Sequence, residues 1–197
     1  MSTVAHVSGW VALDVRLNMK TSHPSYIVAD IPEPIHSSII EIRRSCCNRT
    51  DNIPAEITLA GSSGCGPIPI GTDVSLVREE VSEILKDIHS FQMHFTEWRV
   101  FPNTTIAYLA PSDRSIFDLL HRSLLDSMIP YNPIDFPYNP HCTIGSSWTQ
   151  EAFKSIAQIP FPEEQFTISS IRFLQLDNQT LNCEELATFK LSSANKM

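Results

Sequence analysis

Two short stretches of the chain carry residue types that could do chemistry together. In YNPHCTIG, Tyr138 to Gly145, a histidine and a threonine stand two apart, His141 and Thr143. In PAEITLAG, Pro54 to Gly61, the matching positions are Glu56 and Thr58. Residues two apart on a β-strand share a face, so each pair would present one proton-transfer group and one hydroxyl to the same side. An imidazole with a pKa near ~6.5 can take or give a proton at neutral pH. A carboxylate can act as a base, and burial can raise its pKa until it holds the proton instead. Threonine hydroxyls can donate hydrogen bonds to oxygens on which negative charge develops. Read together, His141 and Glu56 are a candidate acid/base pair, and Thr143 and Thr58 are candidate anion holders. Taken singly, each is equally compatible with an ordinary strand residue. Alternation turns Cys142 away from His141 and Thr143, so it is not read as a nucleophile.

The elements that must position these residues can be read from apolar spacing. YIVADI, Tyr26 to Ile31, is a compact strand closed by Pro32. Ile35, Ile39 and Ile42 predict a helix over 34–45, with Arg43 and Arg44 complementing the dipole at its end. AEITLAG alternates strictly, placing Ile57 and Leu59 inward. GSSGCG follows as a flexible loop at a cleft rim. A phosphate-binding nest of backbone N–H groups is the alternative, but no Lys-Ser/Thr follows to make a P-loop. TDVSLVREEVSEILKDI predicts a helix with Val74, Val77, Val81, Ile84, Leu85 and Ile88 inward. Phe91 to Val100 reads as one strand, turning at Phe101-Pro102-Asn103 into the strand TTIAYLA.

Then the order restarts. SDRSIFDLLHRSLLDSMI predicts a helix with Ser112 as N-cap and Ile116, Leu119, Leu120 and Leu124 inward. A proline-rich connection leads to HCTIG, then to a helix in SWTQEAFKSIAQI capped by Thr149. The strands FTISSIRFLQLD and ELATFKLS close the chain. Strand–helix–strand–strand thus occurs twice, with matching positions 141 − 56 = 85 residues apart. The expected fold class is α+β, with two pseudo-symmetric lobes, each an antiparallel sheet backed by helices, around a central cleft. The expected organisation is an extension or extra strand over 1–25, one bilobal domain over 26–191 and a tail over 192–197.

Composition narrows the function classes. The 197 residues carry a formal net charge of −8, which disfavours a broad nucleic-acid surface. Five cysteines, two of them adjacent, form neither a disulfide framework nor a zinc pattern. No apolar run approaches a membrane span, and the N-terminal stretch lacks the basic region of a signal peptide. The default is a cytoplasmic monomer, with the nucleus as the alternative compartment. Further substrate-binding candidates are His94, opposite Phe91, Met93 and Phe95 on its strand, Arg99 as a positive charge, and Tyr138 as a stacking face. Arg172 and Trp98 are weighed alongside them, with surface or core packing as the simpler reading.

The ordered set YIVADIP, ITLAG, FPNTTIAYLAP, PHCTIG and FTISSIRFLQLD with its final FKL strand resembles the 2H phosphoesterase superfamily, from about Tyr26 to Leu191. That family includes the 2′-5′ RNA ligase-like proteins and the cyclic phosphodiesterases. Its lobes each bring one His-x-Thr/Ser strand to a central cleft. The second motif, His141-Cys142-Thr143, matches. The first keeps Thr58 but has Glu56 where the family has histidine. The resemblance implies a metal-independent phosphoesterase without a cofactor. Its substrate would be a 2′,3′-cyclic phosphate, a 2′-5′ linkage or a related nucleotide or RNA end. The departure at Glu56 keeps a second reading open, an altered member that binds a nucleotide or other phosphate ligand without turnover.

Overall fold

A computed structural model describes residues 19–46, 53–145 and 162–193. Strand β1, Ser25–Asp30, leads to helix α1, Ile35–Cys46, and strand β2, Glu56–Ala60. Helix α2, Val74–Leu85, follows, then β3, Phe91–Met93, β4, Phe95–Val100, and β5, Ala107–Pro111. After α3, Ser115–Leu125, come β6, Cys142–Gly145, β7, Phe166–Ile168, β8, Ser170–Leu176, and β9, Cys183–Lys190. The helix expected in SWTQEAFKSIAQI, with its Thr149 cap, lies outside the described residues. Among the described residues no helix is long and apolar enough to cross a membrane.

The fold is α+β with antiparallel sheets, as the spacing predicts, but the two sheets are not the two halves of the sequence. One has the order β2-β1-β8-β9 and the other β4-β5-β6. The first is therefore completed by the two last strands of the chain. A short antiparallel pair, β3 with β7, links them. The run from Phe91 to Val100 is two strands, not one. It breaks at His94, whose carbonyl accepts from the Ser112 N–H, so that β3 joins β7 while β4 joins β5. FTISSIRFLQLD divides the same way between β7 and β8. The alternation of Phe91, Met93 and Phe95 survives the break, because Met93 and Phe95 are both buried.

Packing is crossed as well. Helix α3 lies against β2, and α1 lies against β6. Ile57 and Leu59 of β2 and Cys142 and Ile144 of β6 are fully enclosed, in one core that runs through both sheets. Helix α2 begins where Asp73 accepts from the Ser75 N–H at 2.8 Å, and buries Val74, Val77, Val81 and Leu85. Helix α3 departs from expectation in two places. Ser112 is not its cap, since the helix starts at Ser115 and Asp113 accepts from the Ser115 N–H. Phe117 and His121 are on its inner face with Leu120 and Leu124, while Leu119 is exposed. The inward arc is turned so that His121 can reach β2. Its Nδ1 lies 2.8 Å from the Leu59 carbonyl, satisfying an acceptor on the sheet's edge strand.

The glycine-rich loop is fastened rather than loose. The Gly64 N–H donates to the Phe136 carbonyl at 2.8 Å, and the Asn132 N–H to the Pro67 carbonyl at 2.9 Å. Gly66 has φ +88°, and a Cβ there would stand 1.8 Å from the Asn132 carbonyl oxygen. Gly71 has φ +85° but open space around it. Gly71→Ala should therefore cost about 1 kcal/mol, the left-handed strain alone. Gly66→Ala should cost several times more, because backbone must also move. Urea denaturation of the two variants measures the difference.

Candidate active site

One face of the four-stranded sheet and the start of β6 line a cleft of about 210 Å³. Glu56 and Thr58 enter it from β2, and His141 and Thr143 from β6 and the residue before it. All four candidate catalytic residues thus line one cavity. Tyr26 and Ser62 line it too, and Ile53, Leu174 and Leu176 give it an apolar wall.

His141 is held in one orientation. It is 6% exposed, and its Nδ1 is 2.6 Å from the Asn139 carbonyl oxygen. A carbonyl can only accept, so Nδ1 carries the proton and Nε2 keeps its lone pair. Phe101 and Tyr108, stacked on each other, meet the imidazole edge-on with centroids at 4.8 and 5.5 Å. Burial in this aromatic setting pushes the imidazole pKa down, only partly offset by the Asn139 carbonyl. At neutral pH His141 is a neutral base.

Glu56 behaves in the opposite sense. One of its carboxyl oxygens, Oε2, is enclosed without a hydrogen-bond partner. Burial pushes its pKa up to about 7, against the pull of Arg43 and Arg172 and with the help of Asp30. Asp30 faces Glu56 in register across β1 and β2. Arg172 Nη2 lies 2.6 Å from Asp30 Oδ1, and Ser170 donates to Asp30 Oδ2 at 3.2 Å. The Arg172 contact is close but poorly aligned, an ion pair without a hydrogen bond, so Arg172 Nε and Nη2 remain unpartnered. Three of the four buried side-chain atoms without a hydrogen-bond partner among the described residues therefore cluster around this sheet face. Such atoms are rare in folded proteins.

Arg43 stands in the last turn of α1 with Arg44, as expected, but it is also buried, 2% exposed, and lines the cleft. Nε and Nη2 donate to the Thr143 carbonyl at 3.1 and 2.7 Å, and Nη1 donates to the carbonyls of Ile53 and Pro54. Nη2 also reaches Cys142 Sγ at 4.0 Å. The five N–H groups are all used, so Arg43 acts on the cleft as a fixed charge and ties the two motif segments together. The signal was present in the sequence. Ile35, Ile39 and Arg43 fall at i, i+4 and i+8, which puts the cation on the apolar face of α1.

The three substrate-binding candidates lie elsewhere. His94 sits at the break between β3 and β4 and does not line the cleft. Arg99 is exposed and paired with Glu97. Tyr138 stacks face-on upon His121, centroids 3.8 Å apart, and donates its hydroxyl to the Thr58 carbonyl at 3.2 Å. It braces β2 instead of offering a face to ligand. Trp98 packs against the core.

Comparison with known proteins fits this arrangement. The family model of the 2′-5′ RNA ligase superfamily matches residues 31–180. The chain belongs to the 2′-5′ RNA ligase superfamily. Solved structures with the same fold include a phosphoesterase at 13% identity, covering 87% of this chain and 99% of that one with a TM-score of 0.58. E. coli LigT complexed with 3′-AMP matches at 13% identity over 87% of this chain and 98% of its own, TM-score 0.57. A Thermus thermophilus protein matches at 13% identity over 90% and 100%, TM-score 0.60. No curated protein sequence matches. This superfamily member thus shares the phosphoesterase fold, with LigT structures holding small nucleotides such as 3′-AMP, NADP+ and ATP.

The protonation of Glu56 has a consequence for stability. The folded protein holds this proton more tightly than the unfolded chain, so stability is highest below the ordinary carboxyl pKa and falls as pH rises towards about 7. Glu56→Gln removes the penalty. It should stabilise the protein at about pH 8, by on the order of 3 kcal/mol at most, and have little effect near pH 4. Urea denaturation at both pH values measures this.

Proposed function

We propose that this protein is a metal-independent phosphoesterase acting on a 2′,3′-cyclic phosphate, a 2′-5′ linkage or a related nucleotide or RNA end. The observation that carries the reading is the pairing, in one cleft, of a neutral imidazole with a free Nε2 and a carboxyl group that holds its proton up to about pH 7. These are the two states that hydrolysis of a phosphodiester needs.

The roles follow from those states. His141 Nε2 takes a proton from water as the water oxygen bonds to phosphorus. Glu56 gives its proton to the departing ribose oxygen as the P–O bond breaks. The products are a phosphomonoester, a Glu56 carboxylate and a His141 imidazolium, and solvent returns the proton from His141 to Glu56. Thr58 and Thr143 hold the phosphoryl oxygens, and the Arg43 charge favours the negative transition state. Glu56 is thus the acid and His141 the base.

The rate should rise with pH through the lowered pKa of His141 and fall again through about 7 as Glu56 loses its proton. Turnover of the four 2′,3′-cyclic nucleotides in the presence of a chelator tests this. His141→Ala should abolish it, and Glu56→Gln should lower kcat by about 10²–10⁴-fold and flatten the alkaline limb. Glu56→His should retain activity and move the alkaline limb to lower pH, because burial and the nearby guanidinium groups push an imidazole there below its ordinary pKa. The second reading, nucleotide binding without turnover, is favoured by the enclosed Oε2 of Glu56. It prevails if the wild type binds these nucleotides and none is hydrolysed while Glu56→His becomes active.

A further inference from the structure

We propose that the cleft selects singly charged phosphodiesters over doubly charged phosphomonoesters, and that the anion enters together with one proton, taken up by the Glu56 carboxylate. This deepens the reading of the cleft as a phosphate-ester site and rests on it.

Among the described residues, three fixed charges act on Glu56 at the cleft. From α1 comes Arg43, whose N–H groups are all engaged and which cannot leave. From β8 comes Arg172, and from β1 Asp30, paired with it at 2.6 Å. From β2 comes Glu56. Among the described residues, the other titratable groups facing Glu56 are held towards their neutral forms. Tyr26 on β1 and Cys183 on β9 are pushed up by burial, as is Cys142 on β6, while His141 is pushed towards its neutral form. Among the described residues two guanidinium groups therefore face the ion-paired Asp30 carboxylate and the Glu56 carboxyl group. With Glu56 ionised the sum is zero. With Glu56 protonated it is +1, which one negative charge neutralises.

Beside the apolar wall of Ile53, Leu174 and Leu176, an unbalanced charge is far costlier than in water. A diester carries one negative charge at any pH near neutral. A monoester carries nearly two above its second pKa of about 6. The diester fits the protonated cleft, and the monoester leaves an uncompensated charge. Hydrolysis turns the first into the second: once the proton is back on Glu56 and the monoester has lost its own second proton to solvent, a matched ligand has become a mismatched one.

The sign of the proton linkage is fixed. Below about pH 7 Glu56 already holds its proton and diester affinity is flat. Above it, binding must draw a proton from solvent, and affinity falls by up to about tenfold per pH unit until the pKa of the liganded state is passed.

Adenosine 3′-monophosphate and its 3′-methyl ester differ by one charge and test the proposal. Their affinities are measured by calorimetry at about pH 6 and about pH 8, in buffers of different ionisation enthalpy, on wild type and Glu56→Gln. The expected result is a preference of about tenfold or more for the ester at the higher pH, with close to one proton taken up. That preference should narrow at the lower pH, where the monophosphate sheds part of its second charge. In Glu56→Gln the ester should bind without proton uptake and with little dependence on pH. Equal binding of both compounds, or ester binding without proton uptake in the wild type, overturns the inference while leaving a phosphate site standing. Binding of neither compound at either pH overturns the phosphate-ester reading and the inference together.

Discussion

The guanidinium of Arg43 is the interaction on which the rest of the site depends. It emerges from α1 and binds the carbonyls of Thr143, at one motif, and of Ile53 and Pro54, just before the other. Hydrogen bonds from a cation are worth roughly twice neutral ones, and a buried charge tolerates the loss of its partners badly. The two motif segments are thereby held at a fixed separation by a rigid planar fork. Lysine could not reproduce this, because a point charge lacks the fork's spread of donors. The same buried cation also offsets part of the cost of ionising Glu56. One side chain thus sets both the geometry of the cleft and its electrostatics.

Glu56 and His141 are tuned from opposite directions by one cause. Burial disfavours the charged form of each, so the carboxyl keeps its proton and the imidazole gives its up. Where the resemblance implies two imidazoles, this chain has one imidazole and one carboxyl group in similar surroundings. The aromatic pair Phe101 and Tyr108 matters here because it dries and orients the imidazole without offering it a counter-charge.

Much of this was legible in the sequence, and the gaps have identifiable causes. Strict alternation in EITL and CTIG placed Glu56, Thr58 and Thr143 on the cleft face and Ile57, Leu59 and Ile144 in the core. The family pattern led to the fold. What failed was anything set by non-local pairing. Nothing in FQMHFTEWRV announces that β3 will pair with β7 and β4 with β5, since a break in partner leaves the local periodicity intact. Tyr138 has the composition of a stacking face, yet His121, seventeen residues earlier, already occupies it. Reading Arg43 along the helix gave its place in the last turn, and reading around the helix would also have given its burial. Asp30 passed unnoticed because its role arises only once β8 brings Arg172 beside it.

The exchange of strands between the halves has a bearing on how the protein is made. The β1–β2 pair that carries Glu56 has an open edge on β1 until β8 arrives, and β8 and β9 come latest among the described strands. Helix α1 must wait for β6, and β3 for β7, about a hundred and about seventy-five residues later. Neither sheet can be finished from a contiguous half of the sequence, so folding is deferred until β8 and β9 are available. Removing those two strands would take away a wall of the cleft while leaving Glu56, Thr58, His141 and Thr143 in the chain.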